Sequence, residues 1–298
     1  MTTSNQMVQQ KMPFSVAVNT PSMQKLIANA LHDPARCARF TASIVSAVSV
    51  NQELQNCDRN TVISGALLGE SLNLSPSPQL GQYYLVPFNN KKKGIKDAQF
   101  VLGYKGYVQL ALRSGQYKSI NVEIVKQGEY KGRDPMTGDP RFQFLEDDDE
   151  WERLPVIGYM ASFEYLNGFR KVLYWSKEKM MNHADRYSAA FSRKAYENLI
   201  AGNVPQGEMW KYSSFWYKDF DSMAKKTMLR QLISKWGIMS TDMQSAYESD
   251  SRVIEETESG QLIPQVEEEP PQQIEEPQAA AQIPAQSVEP KQIDLSSL

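Results

Sequence analysis

Three polar side chains that suit a phosphate backbone recur at every fourth position after Gly103. They are Lys105, Gln109 and Arg113, and a helix turning 100° per residue places them within about 80° of one another. The adjoining arc carries Tyr107 and several aliphatic residues. We therefore expect a short helix that packs on one side and presents two cations flanking an amide on the other.

The charge of this stretch differs from that of an ordinary solvated helix face. No Asp or Glu lies between Gln99 and Asn121, whereas solvated surfaces mix both signs. Lys118 follows the helix, a basic loop at 91–93 precedes it, and the candidate rings beside its cations are Tyr104 and Tyr107. These residues predict contact with a polyanion, and a solvated amphipathic helix is the alternative.

A second group of cations lies in a longer predicted helix. Lys225, Lys226 and Arg230 stand among apolar residues that spread around more than one face. We expect this helix to pack on both sides, with its cations at the rim of a groove. The alternative is that their stems cover apolar surface and their charges pair with Asp219 or Asp221.

A third group interleaves cations with rings. Bases of a single strand stack on rings, while ammonium and guanidinium groups follow its phosphates. Most rings in this stretch are expected in the core, and only those beside loops are expected at the surface. The candidates are Arg186, Arg193, Lys194 and Lys211, with Trp210 and Tyr212 as the surface rings.

Signatures of nucleotide or zinc chemistry are missing from the sequence. No Gly is followed directly by Lys, so the loop that cradles nucleotide phosphates is absent and we do not expect ATP to be used. His32 and His183 have no His or Cys partner at zinc spacing. We predict no catalytic residue, no required cofactor and Mg²⁺ only as a modulator.

A Mg²⁺-dependent nuclease is the alternative from another class. The run 147–150 is entirely acidic, and Asp58, Glu70 and Glu164 are acids on otherwise apolar elements. Consecutive carboxylates in a polar turn are usually solvated, so we rank a binding role above a nucleolytic one. A purely structural assembly protein is a third possibility.

Charge is divided unevenly along the 298 residues. Residues 248–298 hold 12 acidic residues against two basic ones, whereas residues 1–247 hold 30 Lys and Arg against 23 Asp and Glu, together with every aromatic residue. We predict a flexible N-terminus at 1–21, a folded core at 22–245 and a disordered acidic tail at 246–298. The tail either keeps the protein soluble or mimics DNA and competes with it for the basic surface.

Apolar periodicity predicts the elements that position these residues. Helices followed by strands and then helices indicate an α+β class with flanking helices around a β-sheet. An Asn-Gly pair at 167–168 predicts a hairpin with a type I′ turn. The predicted helices are 22–49 with a break at Pro34, 59–72 capped by Asp58, 104–113, 176–199 and 215–236, and the predicted strands are 82–88, 98–102, 120–125, 141–145, 156–166 and 169–175.

The chain shows no signal for export or membrane insertion. Its first residues lack a basic start and an apolar run, and no segment approaches the length of a membrane span. Cys37 and Cys57 have no metal-type spacing and suit a reduced compartment. We expect a cytoplasmic protein without a membrane partner.

Three stretches together resemble one known family. They are LLGESLNLSPSPQLGQYYLVPF at 67–88, QFVLGYKGYVQLALRSG at 99–115 and FWYKDFDSMAKKTMLRQLISKWGIMS at 215–240. In sequence and order they resemble the RecT-type single-strand annealing proteins of bacteriophages and prophages. The resemblance covers about residues 20–245.

This resemblance implies ATP-independent binding of single-stranded DNA and annealing of complementary strands through a duplex intermediate. It also implies an α+β core, homo-oligomeric rings or helical filaments, and two partners in the bacterial host cell, a phage 5′-to-3′ exonuclease and a host single-strand-binding protein. Lys105 and Arg113 fall in the family's central motif, and Lys225, Lys226 and Arg230 fall in its C-terminal motif. The motifs do not say which of these cations touch DNA.

From charge and helix phase we expect a basic groove that holds the DNA backbone and leaves the bases outward for pairing. Affinity should fall steeply with salt and vary little with base sequence. The uncharged stretches of the N-terminal helices are the expected contact between subunits.

Overall fold

The structure is a computed structural model that describes residues 12–90, 92–257 and 261–265. The α-helices in these ranges are α1 Phe14–Ala17, α2 Pro21–Leu31, α3 Pro34–Val50, α4 Arg59–Ser71, α5 Tyr104–Arg113, α6 Asp148–Arg153, α7 Lys177–Tyr187, α8 Arg193–Ile200, α9 Phe215–Lys218, α10 Phe220–Trp236 and α11 Thr241–Ser249. The strands are β1 Tyr83–Asn90, β2 Ile95–Leu102, β3 Tyr117–Lys126, β4 Tyr130–Arg133, β5 Pro140–Phe142, β6 Val156–Tyr165, β7 Arg170–Ser176, β8 Arg252–Glu256 and β9 Leu262–Pro264, and short 3₁₀ helices occupy Gln52–Asn56 and Gln206–Tyr212.

Three antiparallel sheets follow the first helices, which confirms the α+β class. The first sheet has the order β1-β2-β8-β9, the second has the order β3-β6-β7, and β4 pairs with β5. In the first sheet β1 and β2 form a hairpin whose register runs from Tyr83 opposite Leu102 to Asn90 opposite Ile95. Among the described residues, no helix is both long and apolar enough to cross a bilayer.

The helix α4 covers the first sheet and lies very close to it. Its residues 61–69 are all buried. A Cβ added at Gly65 would lie 2.9 Å from a methyl of Leu85, and one added at Gly69 would lie 2.3 Å from the Tyr83 ring. Glycine at both positions therefore lets the helix backbone approach β1, which explains the Gly-containing apolar run of this segment.

The helix α10 is packed on both sides, as predicted. It contacts β3, β6 and β7 of the second sheet on one side and α5 on the other. Four of its apolar residues, Met228, Leu229, Leu232 and Ile233, are fully buried. This helix therefore connects the second sheet to the helix that carries Lys105.

The helix starts at Pro34 and Arg59 are confirmed, and so is the predicted cap at Asp58. Asp33 accepts a hydrogen bond from the backbone of Ala35, and Asp58 accepts one from the backbone of Asn60. Side-chain acceptors at these positions satisfy backbone N–H groups that have no partner in the first turn.

The hairpin between β6 and β7 is confirmed, but its predicted turn type is wrong. Gly168 has φ +86°, whereas Asn167 is absent from the residues with positive φ, and a type I′ turn requires positive φ at both central positions. The backbone N–H of Gly168 bonds to Tyr165 O at 3.0 Å, and that of Tyr165 bonds to Phe169 O at 2.8 Å. Residues 166–168 therefore form a three-residue loop, and Gly168 supplies the positive φ at its last position.

Two predicted helices are each divided in the structure. The predicted helix 176–199 breaks after Tyr187, and Ser192 caps the new start at α8 by accepting a bond from the Ala195 backbone. The predicted helix 215–236 breaks at Asp219, whose backbone is non-helical (φ −151°, ψ 76°) and whose carboxylate caps α10. Both breaks occur where a capping side chain offers an alternative to the helical hydrogen bond.

The predicted boundaries of the core, 22 and 245, lie inside the fold. Phe14 and Val18 are buried before the first, and β8 and β9 follow the second. The compact unit ends at Gln265, and residues 1–265 hold 31 Lys and Arg against 28 Asp and Glu. The excess of basic residues in the folded part is therefore smaller than predicted. Residues 1–11 and 266–298, to which the rest of the flexible-terminus and acidic-tail predictions refer, lie outside the described residues.

Candidate nucleic-acid interface

The first turn of α5 is fixed against the backbone of residues 81–82. The backbone N–H of Gly103 donates to Gln82 O at 2.8 Å. A Cβ added at Gly103 would lie 2.1 Å from Gly81 O, and one added at Gly106 would lie 2.1 Å from Gln82 O. Because contacts this short exclude any side chain, the two glycines let the chain segments touch and hold Lys105 between them.

Lys105 is exposed at this junction. Its stem lies beside Gly81, since a Cβ placed there would be 3.6 Å from Lys105 Cδ. Within the described ranges no carboxylate oxygen lies within 4.0 Å of its ammonium group. The first turn of α5 contains no acidic residue, so the helix dipole adds to the positive potential of the lysine.

The packing of α10 on α5 brings a second predicted cation to the same region. Lys225 Nζ lies 4.0 Å from a carboxylate oxygen of Glu123 on β3. Burial, and after it the charge of Glu123, raises the pKa of the half-buried Tyr104. The charge of Glu123 thus acts on both Tyr104 and Lys225, and the contact between α10 and α5 brings the central and C-terminal sequence stretches together.

Lys226, Arg230 and Tyr107 instead converge on Asp250, a buried carboxylate outside the predicted core. Lys226 Nζ lies 3.1 Å from Oδ1 and Arg230 Nη1 lies 3.2 Å from Oδ2. The Tyr107 hydroxyl donates to Oδ2 at 3.1 Å, and the backbone N–H of Leu102 donates to Oδ1 at 2.9 Å. Burial alone would raise the pKa of Asp250, but the two cations outweigh it and lower that pKa.

This network corrects the predicted role of three residues. Lys226 and Tyr107 are buried, so a strand on the surface does not reach them, and Arg230 is directed to Asp250. Pairing of the cations was the alternative interpretation, but the partner is neither Asp219 nor Asp221. Asp219 caps α10, and Asp221 accepts the Tyr159 hydroxyl at 2.5 Å.

The remaining residues of the first predicted group have other contacts. Arg113 donates to Leu72 O at 2.6 Å and to Asn73 O at 2.7 Å, and so satisfies carbonyls at the end of α4. Lys118 pairs with Glu164 across β3 and β6 at 2.6 Å. Gln109 is half-buried. Of Lys105, Gln109 and Arg113, only Lys105 is an exposed cation without a described partner.

The third predicted group lies on α7, α8 and the following 3₁₀ helix. Arg193 is engaged by Glu197 at 2.9 Å and by Glu178 at 3.6 Å. Arg186 and Lys194 are exposed, and Lys211 pairs with the exposed Glu208 at 3.0 Å.

The two surface rings of this group differ in exposure. Trp210 is 72% exposed, in line with its predicted surface position. Tyr212 is half-buried and packs edge-on against Tyr217, with ring centroids 5.1 Å apart. This segment therefore adds one fully accessible ring to the cations that precede and follow it.

Sequence reasoning missed Tyr84, whose hydroxyl lies near the Lys105 stem, and Phe215, whose ring contacts Tyr84. Tyr84 lies on β1 between the buried Tyr83 and Leu85, and its ring centroid is 5.9 Å from that of Phe215 at the start of α9. Strand alternation was the available signal for Tyr84, since residues on either side of it face α4. No local pattern predicts the exposure of Phe215.

The acidic residues considered for metal chemistry have structural contacts or lie at the surface. Asp58 caps α4, Glu70 pairs with Arg36 at 3.1 Å, and Glu164 pairs with Lys118. The run 147–150 is exposed at the start of α6, where Asp147 is the cap. Within the part of the chain that the structure describes, no three His, Cys, Asp or Glu side chains converge as metal ligands.

Comparisons with known proteins identify the family of this chain. The family and the relatives that its sequence matches support a DNA-binding recombination protein of phage type. The chain belongs to the RecT family, whose sequence profile matches residues 38–267. It is 40% identical over 228 residues to the uncharacterized protein YqaK of Bacillus subtilis (strain 168), covering 76% of this chain and 67% of YqaK. It is also 35% identical over 114 residues to protein RecT of Escherichia coli (strain K12), covering 38% of this chain and 42% of RecT.

Proposed function

We propose that this protein binds single-stranded DNA and anneals complementary strands without ATP, holding the DNA backbone on the surface around the first turn of α5. The observation that carries the proposal is the position of Lys105. It is exposed, has no carboxylate partner among the described residues, and lies between two glycines that pack on backbone atoms. Because the backbone at Lys105 is already fixed, only its side chain has to be ordered when a phosphate binds.

Binding through this surface is electrostatic and independent of base sequence. Lys105 and Lys225 contact successive phosphates, and the exposed Arg186, Lys194 and Lys211 extend the path. Each phosphate that a cation neutralises releases counterions, so affinity decreases with salt. Backbone contacts leave most base edges free to pair with a second strand.

Annealing on such a surface requires no covalent step. An oligomer that holds one strand extended lowers the entropic cost of aligning it with its complement. The same contacts hold the annealed duplex until release. We assign the subunit contact to α2 and α3, and the partners are a phage 5′-to-3′ exonuclease that exposes the strand and a host single-strand-binding protein, in the cytoplasm of a bacterial cell. Mg²⁺ modulates binding and takes no part in chemistry.

The test is annealing of complementary oligonucleotides without ATP over a salt series. We expect annealing by the wild type, a steep loss of affinity with salt, and weaker binding to all sequences alike in Lys105→Glu. Lys131→Glu is the matched control, because Lys131 is an exposed cation on β4. Annealing that requires ATP, or equal effects of the two reversals, would contradict the proposal.

Incubation of labelled single strands with Mg²⁺ tests the nuclease alternative in the same preparation. We expect intact strands. If the strands are cleaved, and cleavage disappears when the carboxylates of residues 147–150 are changed to amides, the mechanism is hydrolysis and not annealing alone.

A further inference from the structure

The half-buried ring of Tyr84 contacts the ring of Phe215 and lies near the stem of Lys105. Phe215 is 54% exposed, and its ring centroid lies 5.9 Å from that of Tyr84 with the planes tilted by 39°. A Cβ placed at Gly81 would lie 3.2 Å from the Tyr84 hydroxyl and 3.6 Å from Lys105 Cδ. The hydroxyl and the lysine stem therefore flank the same glycine.

The backbone around this point is rigid. Gly81 has φ +61°, a conformation that glycine adopts without strain. The segment that follows it is joined to Gly103 by a hydrogen bond and enters β1, which pairs with β2 along its whole length. Tyr84 and Lys105 are thus held by the hairpin and the glycine contacts already described, before any ligand arrives.

The Phe215 ring remains about half exposed although it contacts Tyr84. Its neighbour Trp216 is buried against Phe191 and Phe220, so α9 is anchored through that residue and Phe215 is left at the surface. A pair of rings of which one, Tyr84, lies near Lys105 suits an unpaired base with its phosphate. The base stacks on the rings while the ammonium group neutralises the phosphate.

We propose that Tyr84 and Phe215 form a base-stacking site beside Lys105 that takes one unpaired nucleobase per subunit. This inference rests on the proposed function and deepens it. One base in each subunit turns toward the protein, while the others remain outward for pairing. The site also gives the protein a preference for single strands, because the bases inside a duplex are already stacked on both faces and offer none to the rings.

The test compares a single-stranded oligonucleotide with the preformed blunt duplex of the same sequence. We expect Phe215→Ala to weaken single-strand binding by about 5-fold or more, the effect of losing one stacked base, and to leave duplex binding unchanged. Phe215→Trp should keep the single-strand affinity. Phe144→Ala is the control, since Phe144 is 50% exposed and stacks on Phe142 at 5.7 Å; it should change neither affinity.

Other outcomes overturn the stacking site. Unchanged single-strand affinity in Phe215→Ala would do so. An equal loss of affinity for single strand and duplex would also overturn it. If that equal loss came with a changed mass in sedimentation, Phe215 would belong to a subunit contact. These outcomes are distinct from failure of the proposed function, in which the wild type itself shows no salt-dependent binding of single strands.

Discussion

Lys226 and Asp250 form a buried ion pair, with Lys226 Nζ 3.1 Å from Asp250 Oδ1, that joins α10 to the segment following α11. The same carboxylate accepts the backbone N–H of Leu102, immediately before the turn that holds Lys105. Cations in the C-terminal sequence stretch therefore have two roles. Lys226 and Arg230 maintain the fold, whereas Lys225 lies at the proposed DNA surface.

Removal of the Asp250 carboxylate should strongly destabilise the protein. Asp250→Ala leaves Lys226 and Arg230 without their partner, and breaking a buried pair costs about 3–5 kcal/mol. Urea unfolding followed by circular dichroism measures this loss. Glu248→Ala is the control, because Glu248 is exposed; a similar loss in both variants would contradict the role of the network.

Stability should also depend on pH through Asp250. Lys226 and Arg230 hold the pKa of its carboxyl below the ordinary value, which is about 3.9 in an unfolded chain. Its contribution is therefore fully present above that value and is lost as the pH falls toward the folded-state pKa. The difference in unfolding free energy between wild type and Asp250→Asn should be constant between about pH 5 and 7 and should shrink below about pH 4. A difference that grows in acid would refute this assignment.

The adjacent Lys225 and Lys226 should separate binding from stability. Lys225→Ala should weaken single-strand binding, lower the salt slope by about 1 and change stability by less than about 0.5 kcal/mol. Lys226→Ala should destabilise the fold, because it leaves a buried carboxylate with one cation fewer. Each variant requires both measurements, an affinity over a salt series and a urea titration. Reversed effects would place Lys226 at the surface.

Alanine at Gly106 should be harmful although it suits a helix. Helix propensity favours Ala over Gly by about 1 kcal/mol, but here the added Cβ meets Gln82 O at 2.1 Å. We expect a net destabilisation of about 1–3 kcal/mol and weaker DNA binding, since Lys105 is displaced. Gly207→Ala is the matched control, because a Cβ there meets nothing within 4 Å. Unaltered thermal unfolding in Gly106→Ala would contradict the close contact.

Truncation should distinguish the observed C-terminal boundary from the predicted one. A chain ending at Gln265 retains Asp250, β8 and β9 and should unfold cooperatively near the wild-type temperature. A chain ending at residue 245 loses them and should be unfolded or strongly destabilised, because α4 and β2 lose the strand that they contact. Differential scanning calorimetry of both chains tests this, and equal unfolding temperatures would restore the boundary at 245.

Local patterns in the sequence predicted most of the elements. Pro34 and Asp58 mark helix starts because they act on neighbouring backbone groups, and Gly103 and Gly115 delimit α5 for the same reason. The breaks in the two divided helices were missed because Ser and Asp also occur inside helices. The local pattern does not show that Ser192 and Asp219 cap a new helix instead of continuing the previous one. Strands β8 and β9 were missed since their composition resembles that of the acidic segment that follows.

The candidate site was predicted only in part. The sequence indicates a basic, aromatic surface and the two stretches that supply Lys105 and Lys225. The sequence does not show which cations are buried, because the residues next to Lys105 and Lys226 in the chain do not distinguish an exposed lysine from a buried one.

The sequence by itself thus determined the α+β class, the positions of most helices and strands and the family. Only the tertiary structure decided that Asp250, 148 residues from Leu102, neutralises two of the predicted DNA-binding cations, and that Tyr84 lies near Lys105 and contacts Phe215. The physical reason is that helix caps, turns and apolar periodicity act between neighbouring residues, whereas the pairing and burial of a charge depend on segments that meet only when the chain has folded.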